Sequence, residues 1–321
     1  MYGQTRDDVA SKMADFLIQS KADNTIKKNG SVFSQFQTFC DSNGFTSKPA
    51  RSIHVAMYLT DLIDQGKSNH VISSAVYGIK WVHNINDLPD PTESNIVKSL
   101  MEAAKRLNSK PVQKKDNVTS EMLQALCATY EHTTYIIDLK DVCMIMLAFA
   151  GFFRFNEISN LHCNDLTFNS DHIIVRVRSS KTDVYRHGNE VFIAKGRSCA
   201  CPYALLQRYI LAAEISMKSD EFLFKPAFRS KSKASLIKKN KSLSYTRANE
   251  CIVKKLKLVA PDMKLGTHTL RASGATAAAN TPGVSDRCLK RHGRWKSDLA
   301  KDGYIDDSKD KKLFITKVLN L

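Results

Sequence analysis

Val142 to Phe149 is a run without a single charged or hydroxyl side chain. As a helix it is apolar on nearly every side, so it has to be buried all round. The run closes at Gly151-Phe152-Phe153, and Arg154 follows at once. A guanidinium delivered straight from a buried helix is costly unless it is paired or meets an anion. Whatever this chain folds into must therefore supply an acid or receive an anion at that point. Glu157, three residues on, is one such acid; it reads as a structural group that orients the arginine.

Residues 268–321 carry the other half of that constraint. They contain His268-Thr-Leu-Arg271, then Arg291-His292-Gly293-Arg294-Trp295, then Gly303-Tyr304. His268 and Arg271, three apart, share one helix face. Trp295 brings a ring with an N–H donor, and Tyr304 comes nine residues later. Arginine, histidine, tryptophan and tyrosine together make an anion site with a nucleophile beside it. Phosphoryl transfer asks for stabilised charge, an in-line nucleophile and a proton for the leaving oxygen. Arg154 and Arg271 each offer a bidentate fork to phosphate oxygens. His268 and Trp295 add hydrogen bonds. A phenol with an ordinary pKa of about 10 is a tractable nucleophile beside positive charge. No Asp/Glu/His cluster of the kind that holds two metals in many nucleases stands out in the sequence.

Charge points to a polyanion. Lys and Arg number 48 against 32 Asp and Glu, a formal +16. Residues 1–110 hold 13 basic and 11 acidic side chains, and residues 111–321 hold 35 and 21, so +14 of the excess lies in the second part. Nucleic acid is the first candidate partner. No apolar run reaches the roughly 18–20 residues that span a bilayer, and residues 2–7 lack the apolar core of a signal peptide. An intracellular protein is expected, nuclear if the host is eukaryotic. The eight scattered cysteines read as reduced core residues. Cys199-Ala-Cys201, with His187 upstream, falls short of the four ligands at recognisable spacings that zinc sites use.

Periodicity gives the layout. Thr5-Arg-Asp-Asp8 looks like a capping box, and Val9, Met13, Phe16 and Leu17 recur behind it at helical spacing. Further helical stripes run through Ile26 to Phe39, through Val55 to Leu62, through Val71, Ala75, Ile79 and Val82, and through Ile96, Leu100 and Ala104. All are expected to be core. Leu88-Pro-Asp-Pro91 breaks the chain. The polar, basic stretch Ser109 to Asn117 is the best linker, which gives a helical domain over 1–110, a linker over 111–117 and a second domain over 118–321. That second domain opens with a helix capped near Thr119-Ser120. Asp171 to Arg178 alternates as a strand, with Ile173, Val175 and Val177 on one face. A partner strand returns through Glu190 to Ala194. Lys181 then sits at or near the tip of a β-hairpin, placed to protonate a leaving oxygen; Lys195 is its rival. Lys225 to Lys241 reads as a basic loop region.

These residues, in this order, resemble the tyrosine recombinase (phage-integrase-like) family. Its signature is Arg, Lys, His-x-x-Arg, His/Trp and Tyr, matched here by Arg154, Lys181, His268, Arg271, Trp295 and Tyr304. The Arg-His-Gly-Arg-Trp wording also resembles recombinases of eukaryotic mobile elements. Where the family more often has Gly-His, this chain has His292-Gly-Arg-Trp295. His292 stands twelve residues before Tyr304, so Trp295 is favoured for the role and His292 supports it. Trp only donates, which leaves His268 as the proton acceptor.

The resemblance implies a mainly α chain with a small antiparallel sheet (α+β). A helical, SAM-like core-binding domain for DNA would precede a catalytic domain. It implies a site-specific recombinase or integrase acting on double-stranded DNA. Tyr304 forms a 3′-phosphotyrosyl bond, so neither ATP nor a metal cofactor is needed, and four subunits work on two DNA sites. The apolar stripe Leu313, Phe314, Val318, Leu319 and Leu321 either docks on a neighbouring subunit or packs on its own domain. Two other activities stay open: a quiescent DNA-binding regulator derived from a mobile element, and a type IB topoisomerase-like relaxase. Each residue also has a plainer reading. Arg154 would be an ion-pair partner of Glu157, Lys181 a turn lysine, His268 a helix cap, Arg271 a surface arginine, Trp295 a core aromatic, and Tyr304 packed and inert.

Overall fold

A computed structural model describes residues 6–108, 113–180, 183, 187–229 and 234–319. The chain divides between Gln113 and Lys114 into two compact units. The first is all helical: α1 (Arg6–Gln19), α2 (Asp23–Ser42), α3 (Ser52–Asp64), α4 (Asn69–Ile85) and α5 (Asn95–Asn108), with one 3-10 turn at Pro91–Glu93 before α5. Its core is a cluster around Phe36, Leu59, Ile72 and Ile79, all fully buried. α2 stops where the sequence stops it, with Gly44 in the left-handed region at φ 68°. The expected core stripes need correcting at three places. Val9, Met13, Phe16 and Leu17 of α1 are exposed, as are Val71 and Ile96. On α4 the buried position is Ile72, one residue along from Val71. Helical spacing identifies a stripe but not whether a partner covers it. The capping box at Thr5 and the linker residues 109–112 lie outside the described residues.

The second unit is mixed. Its helices are α6 (Ser120–Thr129), α7 (Ile136–Ala150), α8 (Phe155–Ser159), α9 (Pro202–Ala212), α10 (Tyr245–Leu256), α11 (Thr267–Ala279), α12 (Asp286–His292), α13 (Asp298–Asp302) and α14 (Lys309–Leu319). Its strands are β1 (Leu166–Phe168), β2 (His172–Val177), β3 (Asn189–Ala194), β4 (Ala227–Arg229) and β5 (Ala234–Leu236). The architecture is mainly α with small antiparallel sheets, as expected. Thr119 caps α6, its hydroxyl accepting from the Met122 N–H at 3.3 Å. α7 is the central rod: every residue from Leu139 to Ala148 is buried, with α9, α10 and α11 packed against it. The first sheet runs β1-β2-β3, antiparallel throughout, with Val175 opposite both Leu166 and Val191. Ile173, Val175 and Val177 face inward, as the alternation predicts.

The region read as a basic loop, Lys225 to Lys241, instead holds the two-stranded hairpin of β4 and β5. Strands of three residues are too short to show an alternation. Six of the eight cysteines are buried, Cys199 is half-buried and Cys288 exposed.

The helical unit offers a direct stability test. Phe36 is fully buried in the first core, so Phe36→Ala should cost about 3–5 kcal/mol. Urea unfolding followed by circular dichroism should show this as a lower midpoint for the transition of residues 6–108.

Candidate active site

The site is assembled on one buried acid. α7 ends at Gly151, and Phe152 turns into the left-handed region at φ 47°. Arg154 then caps α8. Its backbone N–H donates to the Glu157 carboxylate at 2.9 Å and its Nη1 to Oε1 at 2.8 Å. The other carboxylate oxygen receives Arg294 Nη2 at 2.8 Å and faces Arg271 Nη1 at 3.9 Å. Three guanidinium groups thus surround one carboxylate, an excess of two positive charges in an enclosed place. Burial pushes the Glu157 carboxyl up, but the Arg294 guanidinium and the bonds from Arg154 outweigh it and hold the group below its ordinary 4.5. An acid that stays ionised inside a protein is one whose partners supply more than desolvation removes.

Arg271, from the second turn of α11, is 0% exposed. Its Nη1 donates to the Phe152 carbonyl and its Nη2 to the Gly293 carbonyl, the latter at 2.6 Å. Burial first, then the like charges of Arg154 and Arg294, bring its pKa down to about 10, so it remains cationic at neutral pH. Its guanidinium lies 4.8 Å from the Trp295 ring and 5.0 Å from the Tyr304 ring. Gly274 lets α11 come this close to α7: a Cβ there would sit 2.2 Å from the Phe149 carbonyl.

Trp295 and Tyr304, with ring centroids 5.7 Å apart, join Phe152, Ala275 and Leu289 in a small apolar cluster. Trp295 is 6% exposed. Its Nε1 and the Nε atoms of Arg271 and Arg294 are buried donors without a hydrogen-bond partner among the described residues. Thr276 donates to the Tyr304 carbonyl at 3.3 Å, and Asn280 to that of Asp306 at 3.0 Å, fastening the tyrosine segment to α11.

The remaining expected residues fall around this centre. His268 is exposed and shares with Tyr304 a cavity of about 700 Å³ that Lys114 and Lys115 also line. His292 donates Nε2–H to the Ala150 carbonyl at 2.8 Å; burial lowers its pKa. Lys181 lies outside the described residues. Asp183 and His187, close to it in sequence, line a second cavity of about 750 Å³ together with Arg294, Trp295, Lys290 and Lys296. Arg154, Glu157 and Arg271 are therefore brought together, and Arg271, Trp295 and Tyr304 likewise. The residue that sequence reasoning passed over is Arg294. It stands in the same stretch as the exposed Arg291, and no spacing distinguishes the two; only burial does. Among the described residues, no three His, Cys, Asp or Glu side chains gather as a ligand set for a metal.

The phage integrase family model matches residues 116–310. An integrase/recombinase XerD homologue of Selenomonas ruminantium is 29% identical over 296 residues, covering 90% of this chain and 83% of its own. Among solved structures, the XerH site-specific recombinase bound to a palindromic difH substrate aligns with a TM-score of 0.58 at 15% identity, over 85% of this chain and 74% of that one. The Tn1549 transposon integrase in complex with transposon right-end DNA aligns with a TM-score of 0.57 at 13% identity, over 94% and 95%. At such identities the structural matches speak for a shared fold.

Glu157→Gln tests the buried acid. The carboxyl of folded Glu157 titrates below its ordinary 4.5, so its contribution is present above that pH and fades as pH falls through the folded value. At neutral pH the variant should lose about 3–5 kcal/mol, because three guanidinium groups are left without their counter-charge. The gap from the parent protein should narrow in melts below the ordinary 4.5 of this carboxyl.

Proposed function

The chain belongs to the phage integrase family, the tyrosine recombinases that cleave and rejoin DNA, and from that premise we propose that Tyr304 is its nucleophile. The Tyr304 Oη attacks the scissile phosphorus, and the 5′ oxygen departs with a proton. A 3′-phosphotyrosyl bond then holds the broken strand. A 5′ hydroxyl from a partner duplex reverses the step and exchanges strands. Arg154 and Arg271 hold the non-bridging oxygens, each Nη of Arg271 still having a second N–H to give. The Trp295 Nε1–H adds a third donor, His268 takes the phenol proton, and Lys181 returns one to the leaving oxygen. Glu157 and His292 hold the arginine-bearing segments in place.

The observation that carries this reading is Arg271: a fully buried cation with the Tyr304 ring 5.0 Å away and an unpartnered Nε. Preorganised charge of this kind stabilises a phosphoryl transition state without rearrangement at the moment of reaction.

Double-stranded DNA is the substrate. The excess of +14 over residues 111–321 suits its backbone. The helical domain of residues 1–110 is assigned to gripping the duplex and the domain of 118–321 to cutting it. A homo-tetramer on two sites is proposed because Leu313, Phe314, Ile315, Val318 and Leu319 of α14 are all exposed. No residue of that helix is buried on its own domain, so a neighbouring subunit is the natural cover. No helix among the described residues is long and apolar enough to cross a membrane. The protein's place of work is proposed to be on DNA inside the cell, in the nucleus if the host is eukaryotic.

A nicked suicide duplex carrying the protein's recombination site tests the reaction. The wild-type protein should form a covalent adduct, and Tyr304→Phe should shift the duplex in a gel yet form none; an adduct in the variant would remove Tyr304 as nucleophile. Deleting residues 309–321 should leave cleavage on single sites but shrink the paired-site complex, read by mass photometry.

A further inference from the structure

Arg294 takes no part in the chemistry assigned above, yet it is the most heavily bonded side chain at the site. Its backbone stands at φ 58°, in the left-handed region, which side chains larger than glycine occupy only when their surroundings fix them there. The fixing contacts are specific. Nη1 donates to the Gly151 carbonyl at 3.0 Å and to the His292 carbonyl at 2.9 Å. Nη2 donates to the Phe152 carbonyl at 3.1 Å and to Glu157 at 2.8 Å. The guanidinium lies 4.9 Å from the Phe153 ring, and only 4% of the side chain is exposed. One fork therefore ties the loop after α12 to the loop after α7. The two carbonyls that orient Arg271 belong to Phe152, which Arg294 bonds, and to Gly293, its chain neighbour.

We propose that Arg294 is a positioning residue for strand cleavage: it clamps Glu157 and fixes the Phe152 and Gly293 carbonyls, and so sets the orientation in which Arg154 and Arg271 meet the phosphate. The inference rests on the strand-cleavage reading of the same site. The charged groups around Glu157 are Arg154 from the start of α8, Arg271 from α11 and Arg294 itself. His292 adjoins Arg294 and Tyr304 lies beyond Arg271. Since Arg294 is the leading influence that lowers the Glu157 carboxyl against burial, its loss should let that carboxyl rise.

Two variants separate fork from charge. Arg294→Asn tolerates left-handed backbone and removes the guanidinium; Arg294→Lys keeps a cation and loses the fork. Single-turnover adduct formation on the suicide duplex is measured across pH for each. The expected result for Arg294→Asn is a loss on the order of tenfold to a hundredfold, with the acid limb of the profile moved to higher pH. Arg294→Lys should restore the limb but not the full rate. A rate that falls by one constant factor at every pH, or an unchanged rate, overturns the proposal.

Melting temperature against pH, without DNA, gives the second readout. In the wild type the contribution of Glu157 is present above its ordinary 4.5. In Arg294→Asn the carboxyl ionises at a higher pH than in the wild type, so less of that contribution remains, and the gap between the two proteins should widen from acid to neutral pH. Parallel curves overturn the clamp. Absence of any adduct with wild-type protein would sink the strand-cleavage reading, while the melting curves would still decide whether Arg294 clamps Glu157.

Discussion

One carboxylate enclosed by three guanidinium groups is the interaction on which the rest of the catalytic unit depends. Removing an ion from water costs several kcal/mol even after relaxation, and here four ions share one enclosure around Glu157. Glu157 offsets part of the repulsion. Backbone carbonyls of residues 151, 152, 292 and 293 offset more, by accepting from Arg271 and Arg294. What remains is a surplus of positive charge, with three buried donors (the Nε atoms of Arg271 and Arg294 and Nε1 of Trp295) unpartnered among the described residues. Such a site is incomplete without an anion, and a phosphodiester supplies both the charge and the acceptor oxygens.

The backbone is shaped to present those carbonyls. Phe152 and Arg294 both stand in the left-handed region, the first at φ 47° and the second at 58°. Each such residue costs on the order of 1–3 kcal/mol, and the two occur on facing loops of one site. In a regular helix end the Phe152 carbonyl would be directed along the helix axis toward its own chain. Turned out of that path, it accepts from two arginines. The small residues Ser273, Gly274 and Ala275 of α11 let the second arginine helix approach closely enough to use it.

How much of this was legible in the sequence depended on whether a residue's role was local. The buried α7, the Thr119 cap and the inward face of β2 follow from periodicity and capping, which act within a few residues. The meeting of Arg154, Glu157, Arg271, Trp295 and Tyr304 was legible because their order and spacing resemble a known family, not because periodicity implies it. Arg294 escaped because three of its four partners, Gly151, Phe152 and Glu157, lie more than a hundred residues away. Nothing near it in sequence separates it from the exposed Arg291. The α1 stripe misled for the converse reason: Val9, Met13, Phe16 and Leu17 form a proper helical face, but they stay exposed. Spacing records which residues share a side, and burial depends on what else arrives there.

The same contrast distinguishes the two halves of the proposed reaction. The groups assigned to the phosphate are fixed by the core: Arg271 is wholly enclosed, and Arg154 is bonded to Glu157 through both backbone and side chain. The proposed nucleophile is held more lightly. Tyr304 is half-buried, and its segment is fastened to α11 by a few bonds from Thr276, Asn280 and Lys311. It leads within five residues to α14, which buries nothing on its own domain. A displacement of α14 would therefore reach Tyr304 before it reached either arginine. In that arrangement the phosphate clamp is a constant of the folded chain. The position of the attacking oxygen is held less firmly than the arginines that would receive the phosphate.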